Sequence, residues 1–216
     1  LVITNYPEGK SETVTVENNP TDPASGTHEI TFSRECWIEA DDFMEVPVPK
    51  YKRLTPNGPE CRLKGAYLIT CTGCKKDENG NVVEVYAEYD PNSPGGDPAD
   101  GRKVKGATIH WVDAATALDA EVRVYSELFS DASPDGADKD FLACMNPDSL
   151  EVLSGCKVEP RMRDIAAAYD KTEKKGKTAP GFQFMRLGYF CLDNKDCTAE
   201  HLVFNRSVTL KDSFKK

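Results

Sequence analysis

Two stretches of the chain combine cations with amides and aromatic rings. Lys50, Tyr51, Lys52 and Arg53 precede the turn Thr55-Pro56-Asn57-Gly58-Pro59, and Arg62 and Lys64 follow it. Glu60 is the one acid among them. In an extended chain Lys50, Lys52 and Leu54 share one face, and Tyr51 and Arg53 share the other. Far downstream, Gln183 and Arg186 lie in Phe182-Gln183-Phe184-Met185-Arg186. Such a set suits splayed single-stranded RNA bases. A guanidinium donates two parallel hydrogen bonds to one base edge, a Gln amide both donates and accepts, and aromatic rings intercalate. A merely solvated strand face carries the same Lys and Arg, and the residues alone leave both readings open.

Catalysis has less material. His28, His110 and His201 are the three histidines, and none has a nucleophile or metal-ligand partner at a telling spacing. No Gly-rich loop ends in Lys-Ser/Thr. The acidic pairs Asp41-Asp42 and Asp77-Glu78 read as solvated turns rather than an acid–base pair. Cys71-Thr72-Gly73-Cys74 has zinc-knuckle spacing, but Cys191 and Cys197 have five residues between them rather than two, so no metal site is expected. Cys36, Cys61, Cys144 and Cys156 are scattered through apolar or strand-like contexts, as reduced cytosolic thiols are.

The elements that must position the cations are strands. Ser11 to Glu17 alternates, with Val14 and Val16 on one face. Lys50 to Leu54, Arg62 to Thr70, Val82 to Tyr89, Glu121 to Tyr125, Phe182 to Leu192 and Leu202 to Leu210 also read as strands, and Arg163 to Tyr169 as a short helix. Asp77-Glu78-Asn79-Gly80 predicts a hairpin with a type I′ turn. The net charge of −9 disfavours non-specific binding to polyanions but leaves room for a local basic site, because salt confines each charge to roughly 8–10 Å. No apolar run is long enough to span a membrane. The chain opens Leu1-Val2-Ile3-Thr4 without an initiator Met or leader pattern, and reads as an excised piece that starts in a strand.

The halves resemble each other. Ile3-Thr4-Asn5-Tyr6 then Thr13-Val14-Thr15-Val16 answers Ile109-His110-Trp111-Val112 then Glu121-Val122-Arg123-Val124. Arg62 to Leu68 answers Arg186 to Phe190, which puts Gln183 and Arg186 in the second half where Lys50 to Lys64 stand in the first. Two all-β copies of about 100 residues predict two tandem closed β-barrels, since closure removes sheet edges. Between them, Gly101-Arg102-Lys103-Val104-Lys105-Gly106 leads into Thr108 to Val112 as the joint.

The runs Asp97-Pro98-Ala99-Asp100-Gly101-Arg102-Lys103-Val104-Lys105-Gly106, Ile109-His110-Trp111-Val112, Asp140-Phe141-Leu142, Asn146-Pro147-Asp148-Ser149-Leu150, Phe182-Gln183-Phe184 with Arg186, Gly188-Tyr189-Phe190-Cys191-Leu192-Asp193 and Val203-Phe204-Asn205-Arg206 resemble the C-terminal anticodon-binding region of bacterial-type glutaminyl-tRNA synthetases, class I enzymes of translation. The likeness runs over essentially the whole chain. It implies two six-stranded-type closed barrels, like those of a ribosomal protein that binds 5S rRNA, with exchanged N-terminal strands and a few short helices. Residues 7–112 would form the first barrel, completed by Thr108 to Val112. Residues 113–216 would form the second, completed by strand 1–6.

The resemblance also implies roles. Arg53 looks like the reader of the third anticodon base, with Lys52 beside it and Lys50 where a relative has Gln. Arg62 and Lys64 match a pair that holds the first base, with Lys64 in place of an Arg, so one bidentate fork becomes a point charge. Gln183 and Arg186 match readers of the middle uridine. Arg102, Lys103 and Lys105 then rank as linker. The implied partners are glutamine tRNA and an N-terminal catalytic domain of the same ligase, which would use ATP and magnesium in the cytoplasm. The chain itself has no His-Ile-Gly-His or Lys-Met-Ser-Lys-Ser signature and should be inactive alone, monomeric, without a cofactor, and bound to neither DNA nor membrane. A related glutamyl module and a non-catalytic docking barrel are the rival readings.

Overall fold

The computed structural model describes residues 1–136, 138–171 and 178–210. The chain is mostly β and divides into two compact units, Leu1–Ala117 and Leu118–Lys216.

The first unit contains β1 (Val2–Ile3), β2 (Ser11–Glu17), β3 (Thr27–Ser33), β4 (Cys36–Trp37), β5 (Cys61–Leu63), β6 (Leu68–Lys76), β7 (Val82–Tyr89), β8 (Thr108–Ile109) and β9 (Val112–Asp113). Its main sheet runs β1-β7-β6-β5-β8, with β2-β3 and β4-β9 as two-stranded ribbons. β2 forms as its alternation predicts: Val14 and Val16 turn inward while Thr13 and Thr15 face water. The core gathers Ile3, Phe32, Leu54, Leu63, Ile69, Ala87, Ile109 and Trp111. Tyr6, Phe32, Tyr67, Tyr89 and Trp111 meet edge-on or tilted, with centroids 5.0–5.4 Å apart. Glu12 accepts the hydroxyls of Tyr6 at 2.7 Å and Tyr67 at 2.9 Å, which joins this aromatic cluster to β2.

The second unit contains β10 (Leu118–Tyr125), β11 (Leu150–Val158), α1 (Arg161–Ala168), β12 (Gly181–Phe184), β13 (Gly188–Leu192) and β14 (Leu202–Val208). Its sheet runs β11-β10-β14-β13-β12. Val122, Phe190, Leu192, Leu202, Val203 and Phe204 form its core, against which Met162 and Ile165 of α1 pack.

Several expectations need correction. Strand 1–6 does not complete the second unit: β1 pairs in parallel with β7, Val2 opposite Tyr86 and Ile3 opposite Ala87. Ile3 is fully buried in the first core, so apolar burial fixes β1 there. The division falls after Ala117 rather than at 112, and the Ala117 N–H donates to the Asp113 carbonyl in the turn that follows β9. Lys50 to Leu54 is not a strand. Pro47 and Pro49 can donate no ladder bond, Lys50 turns with φ 69°, and only Leu54 bridges, to Phe43. Phe182 to Leu192 is a hairpin rather than one strand, turning at Met185-Arg186-Leu187, and Arg62 to Thr70 is likewise no single strand, since β5 and β6 pair antiparallel with Arg62 opposite Leu68.

Candidate nucleic-acid interface

In the first unit the cations sit on irregular backbone held by buried anchors. Glu39 opens a short 3₁₀ turn, Ala40–Asp42, whose last residue is fully buried. Arg53 turns onto it. Its Nε lies 3.5 Å from the Asp42 carboxylate, and its Nη1 donates to the Asp41 carbonyl at 3.0 Å. The Tyr51 hydroxyl donates to the same carbonyl at 3.0 Å, and burial pushes its pKa up to about 12. Asp42 is therefore no solvated turn acid. It is the counter-charge that fixes the Arg53 fork.

Arg62 is held differently. It lies on β5 between Cys61 and Leu63, both fully buried, so strand alternation turns it outward. Its Nε donates to the Gly96 carbonyl at 2.7 Å and its Nη2 to Asp97 at 3.2 Å. Lys64 begins the turn after β5. Its N–H donates to the Ile109 carbonyl at 3.0 Å, and its own carbonyl accepts the Trp111 indole N–H at 3.0 Å.

The joint brings these residues together. Ala107 N–H donates to the Lys52 carbonyl at 2.7 Å, and the Ala107 carbonyl accepts Arg62 N–H at 3.0 Å. The Lys50–Arg53 segment and β5 are thus not paired with each other; both are tied to the joint. The Cys61 thiol donates to the Lys52 carbonyl at 3.6 Å, and burial raises its pKa to about 11. Arg102 is not available to a ligand in the same way as the lysines. Its Nη2 is 2.6 Å from Glu60 and 2.8 Å from Asp90, and its Nη1 is 2.9 Å from Asp100.

In the second unit Gln183 is exposed on β12 and stands directly opposite Tyr189 of β13. Residues so paired share a face, and Tyr189 is 47% exposed. Phe182 and Phe184 point the other way. Phe184 stacks on Phe190 with centroids 4.2 Å apart, and both Phe182 and Phe184 meet Phe204. The aromatics read beside Gln183 in the sequence are therefore core residues, and the exposed ring comes from the next strand. Arg186 sits at the turn with φ 67°, and Leu187 N–H closes back on the Phe184 carbonyl at 2.9 Å.

Sequence reasoning missed Asp42, Gly96, Asp97 and Tyr189. Asp42 carried a signal, an acid one residue before Phe43 and eleven before Arg53, but nothing local distinguishes a buried acid from a solvated one.

Comparison with known proteins decides the family. A family model described as tRNA synthetases class I (E and Q), anti-codon binding domain, matches residues 1–90, and a second of the same description matches 108–193. The chain belongs to this class I (E and Q) anticodon-binding family. It is 51% identical over 215 residues to a glutamine--tRNA ligase of Clostridioides difficile (strain 630), covering 100% of the chain and 36% of the relative. It is likewise 51% identical over 215 residues to that of Bordetella pertussis, covering 99% and 34%. The Aliivibrio fischeri (strain MJ11) enzyme is 49% identical over 214 residues, covering 99% and 36%. The chain thus spans about a third of the length of these relatives. The second anticodon-binding match begins at Thr108, yet β8 and β9 lie in the first structural unit.

Proposed function

We propose that the chain reads the anticodon of glutamine tRNA for a glutamine–tRNA ligase. The observation that carries this reading is the meeting of Lys52 and Arg62 on Ala107, with Arg53 and Lys64 adjoining, because it assembles the expected base readers from two separate segments. On this reading Arg53 takes the third base with Lys52 beside it, Arg62 and Lys64 the first, and Gln183 and Arg186 the middle uridine, with Lys50 at the edge of the site. Buried Asp42 supports the role of Arg53, since a pre-oriented fork loses less freedom on binding. The exposed Tyr189 ring supports a stacking surface beside Gln183.

The rest of the reading follows the family. ATP and magnesium would act in a catalytic domain outside this chain, in the cytoplasm, with the ligase as a monomer. Each five-stranded sheet would be the core of a barrel. Direct binding to glutamine tRNA tests the function. Tight binding should weaken when any anticodon base is changed. Equal affinity for native and anticodon-altered tRNA would overturn it, and preference for a glutamate anticodon would move the assignment to the glutamyl branch.

A further inference from the structure

We propose that Lys103 and Lys105, on the joint rather than on the base-reading segments, form with Lys50 and Lys52 a site for the phosphodiester backbone of the bound RNA. This rests on the anticodon-reading function above and adds to it a second kind of contact, one that positions without reading sequence.

The placement comes from the backbone. The hydrogen bond from Ala107 to the Lys52 carbonyl sets the two main chains side by side, at the roughly 5 Å of neighbouring strands. Lys105 is two residues from that bond, at most about 7 Å along the chain. The backbones of Lys52 and Lys105 thus lie within roughly 12 Å of each other. Lys50, Lys52, Lys103 and Lys105 are all exposed.

The acids that could cancel them are engaged elsewhere. Glu60 and Asp100 are bound by Arg102, Asp42 by Arg53, and Glu45 by Lys76. Among the described residues none of the four lysines forms an ion pair with them. Arg102 therefore has two effects. It engages three carboxylates beside the site, one positive charge against three negative, and it holds the start of the joint against Glu60 and Asp90 so that the next cations stand in one place. The net charge of −9 sharpens the point, because a group of lysines without ion-pair partners among the described residues is where a polyanion concentrates on an acidic protein. Flexible ammonium groups suit phosphate oxygens, which need charge more than a fixed fork.

The test is the salt dependence of tRNA binding. Affinities of the chain for glutamine tRNA and for anticodon-altered tRNAs are measured from low to physiological salt, for the parent, for the double variant Lys103→Ala/Lys105→Ala, and for Lys10→Ala. Lys10 lies over the Tyr6 ring, away from the joint in the chain, and serves as a control. The double variant should lower the slope of log K against log salt by about 1.4, two single-strand phosphate contacts. Its affinity should fall by the same factor for every tRNA. An unchanged slope overturns the proposal, and so does an equal loss in Lys10→Ala, which would mean diffuse attraction. A parent that fails to distinguish anticodons overturns the base-reading function instead, while the slopes still report on the lysines.

Discussion

Lys52 and Arg62 are tied to one residue between them: Ala107 donates its N–H to the carbonyl of Lys52 at 2.7 Å and accepts the N–H of Arg62 at 3.0 Å. Neither cation is placed by its own segment alone. Gly106 makes the approach possible. A Cβ there would lie 2.2 Å from the Glu60 carbonyl oxygen and 2.7 Å from the Cys61 sulfur. Gly106→Ala should cost roughly 1–3 kcal/mol of stability and weaken tRNA binding beyond what the stability loss explains. Gly73→Ala, where a Cβ meets open space, is the comparison. Equal denaturant midpoints and affinities for the two variants would show that the close approach has no consequence.

Asp42 should matter to recognition without touching RNA. Its buried carboxylate fixes Arg53. Asp42→Asn keeps the shape and removes the charge, and should cost roughly 1–3 kcal/mol of stability. It should also relax discrimination at the third anticodon base, the one proposed for Arg53. Binding of tRNAs altered at single anticodon positions measures this; loss spread evenly over all three positions would argue against the pairing with Arg53.

Arg186 allows recognition to be separated from folding. Its φ of 67° is a left-handed conformation that favours glycine. Arg186→Gly relieves about 1 kcal/mol of backbone strain, so stability should stay within about that amount of the parent. Discrimination at the middle anticodon position should nevertheless fall by roughly 1–3 kcal/mol, one bidentate contact. Thermal unfolding and tRNA affinities on the same samples check both halves of the expectation.

Acid should act on the second unit through Asp193. Burial works to raise its pKa, but the N–H groups of Asp196 and Lys195, the Asn205 amide and the Arg123 charge outweigh it and leave the carboxyl below its ordinary value. A folded value below the unfolded one means that the stabilisation is complete above the unfolded carboxylate range. It is lost as pH falls below about 3.9 and on through the folded value. Denaturant unfolding from pH 7 down to pH 3 should show this loss, and Asp193→Asn should remove part of it. Parallel profiles for parent and variant would assign the acid limb to other groups.

Local pattern carried some of this structure and could not carry the rest. Alternation placed Ser11 to Glu17, and Val82 to Tyr89 is a strand as read, because a half-buried strand writes its burial at every second residue. Asp77 to Gly80 turns as expected, but with Gly80 alone left-handed and the Asp77 carboxylate accepting N–H groups of Asn79 and Asn81. Asp at the first position therefore chose the turn, rather than Asn79. Lys50 to Leu54 misled because its Lys–Tyr–Lys–Arg alternation is also what an irregular segment shows when one arginine anchors it and its lysines point to water. The partner of β1 lies more than eighty residues away, and nothing in Leu1 to Tyr6 distinguishes β7 from a strand of the second unit.

That last pairing has a consequence in time. During synthesis β1 is made well before β7, and β8, β9 and Trp111, which complete the first core, are made only after β7 and the long loop that follows it. At about 5–20 residues per second, that delay is on the order of seconds. For that interval β5 has a bare edge and the Lys50–Arg53 segment has nothing to lie against. The first unit completes this arrangement only when the chain has been made through to the residues that begin the second anticodon-binding match.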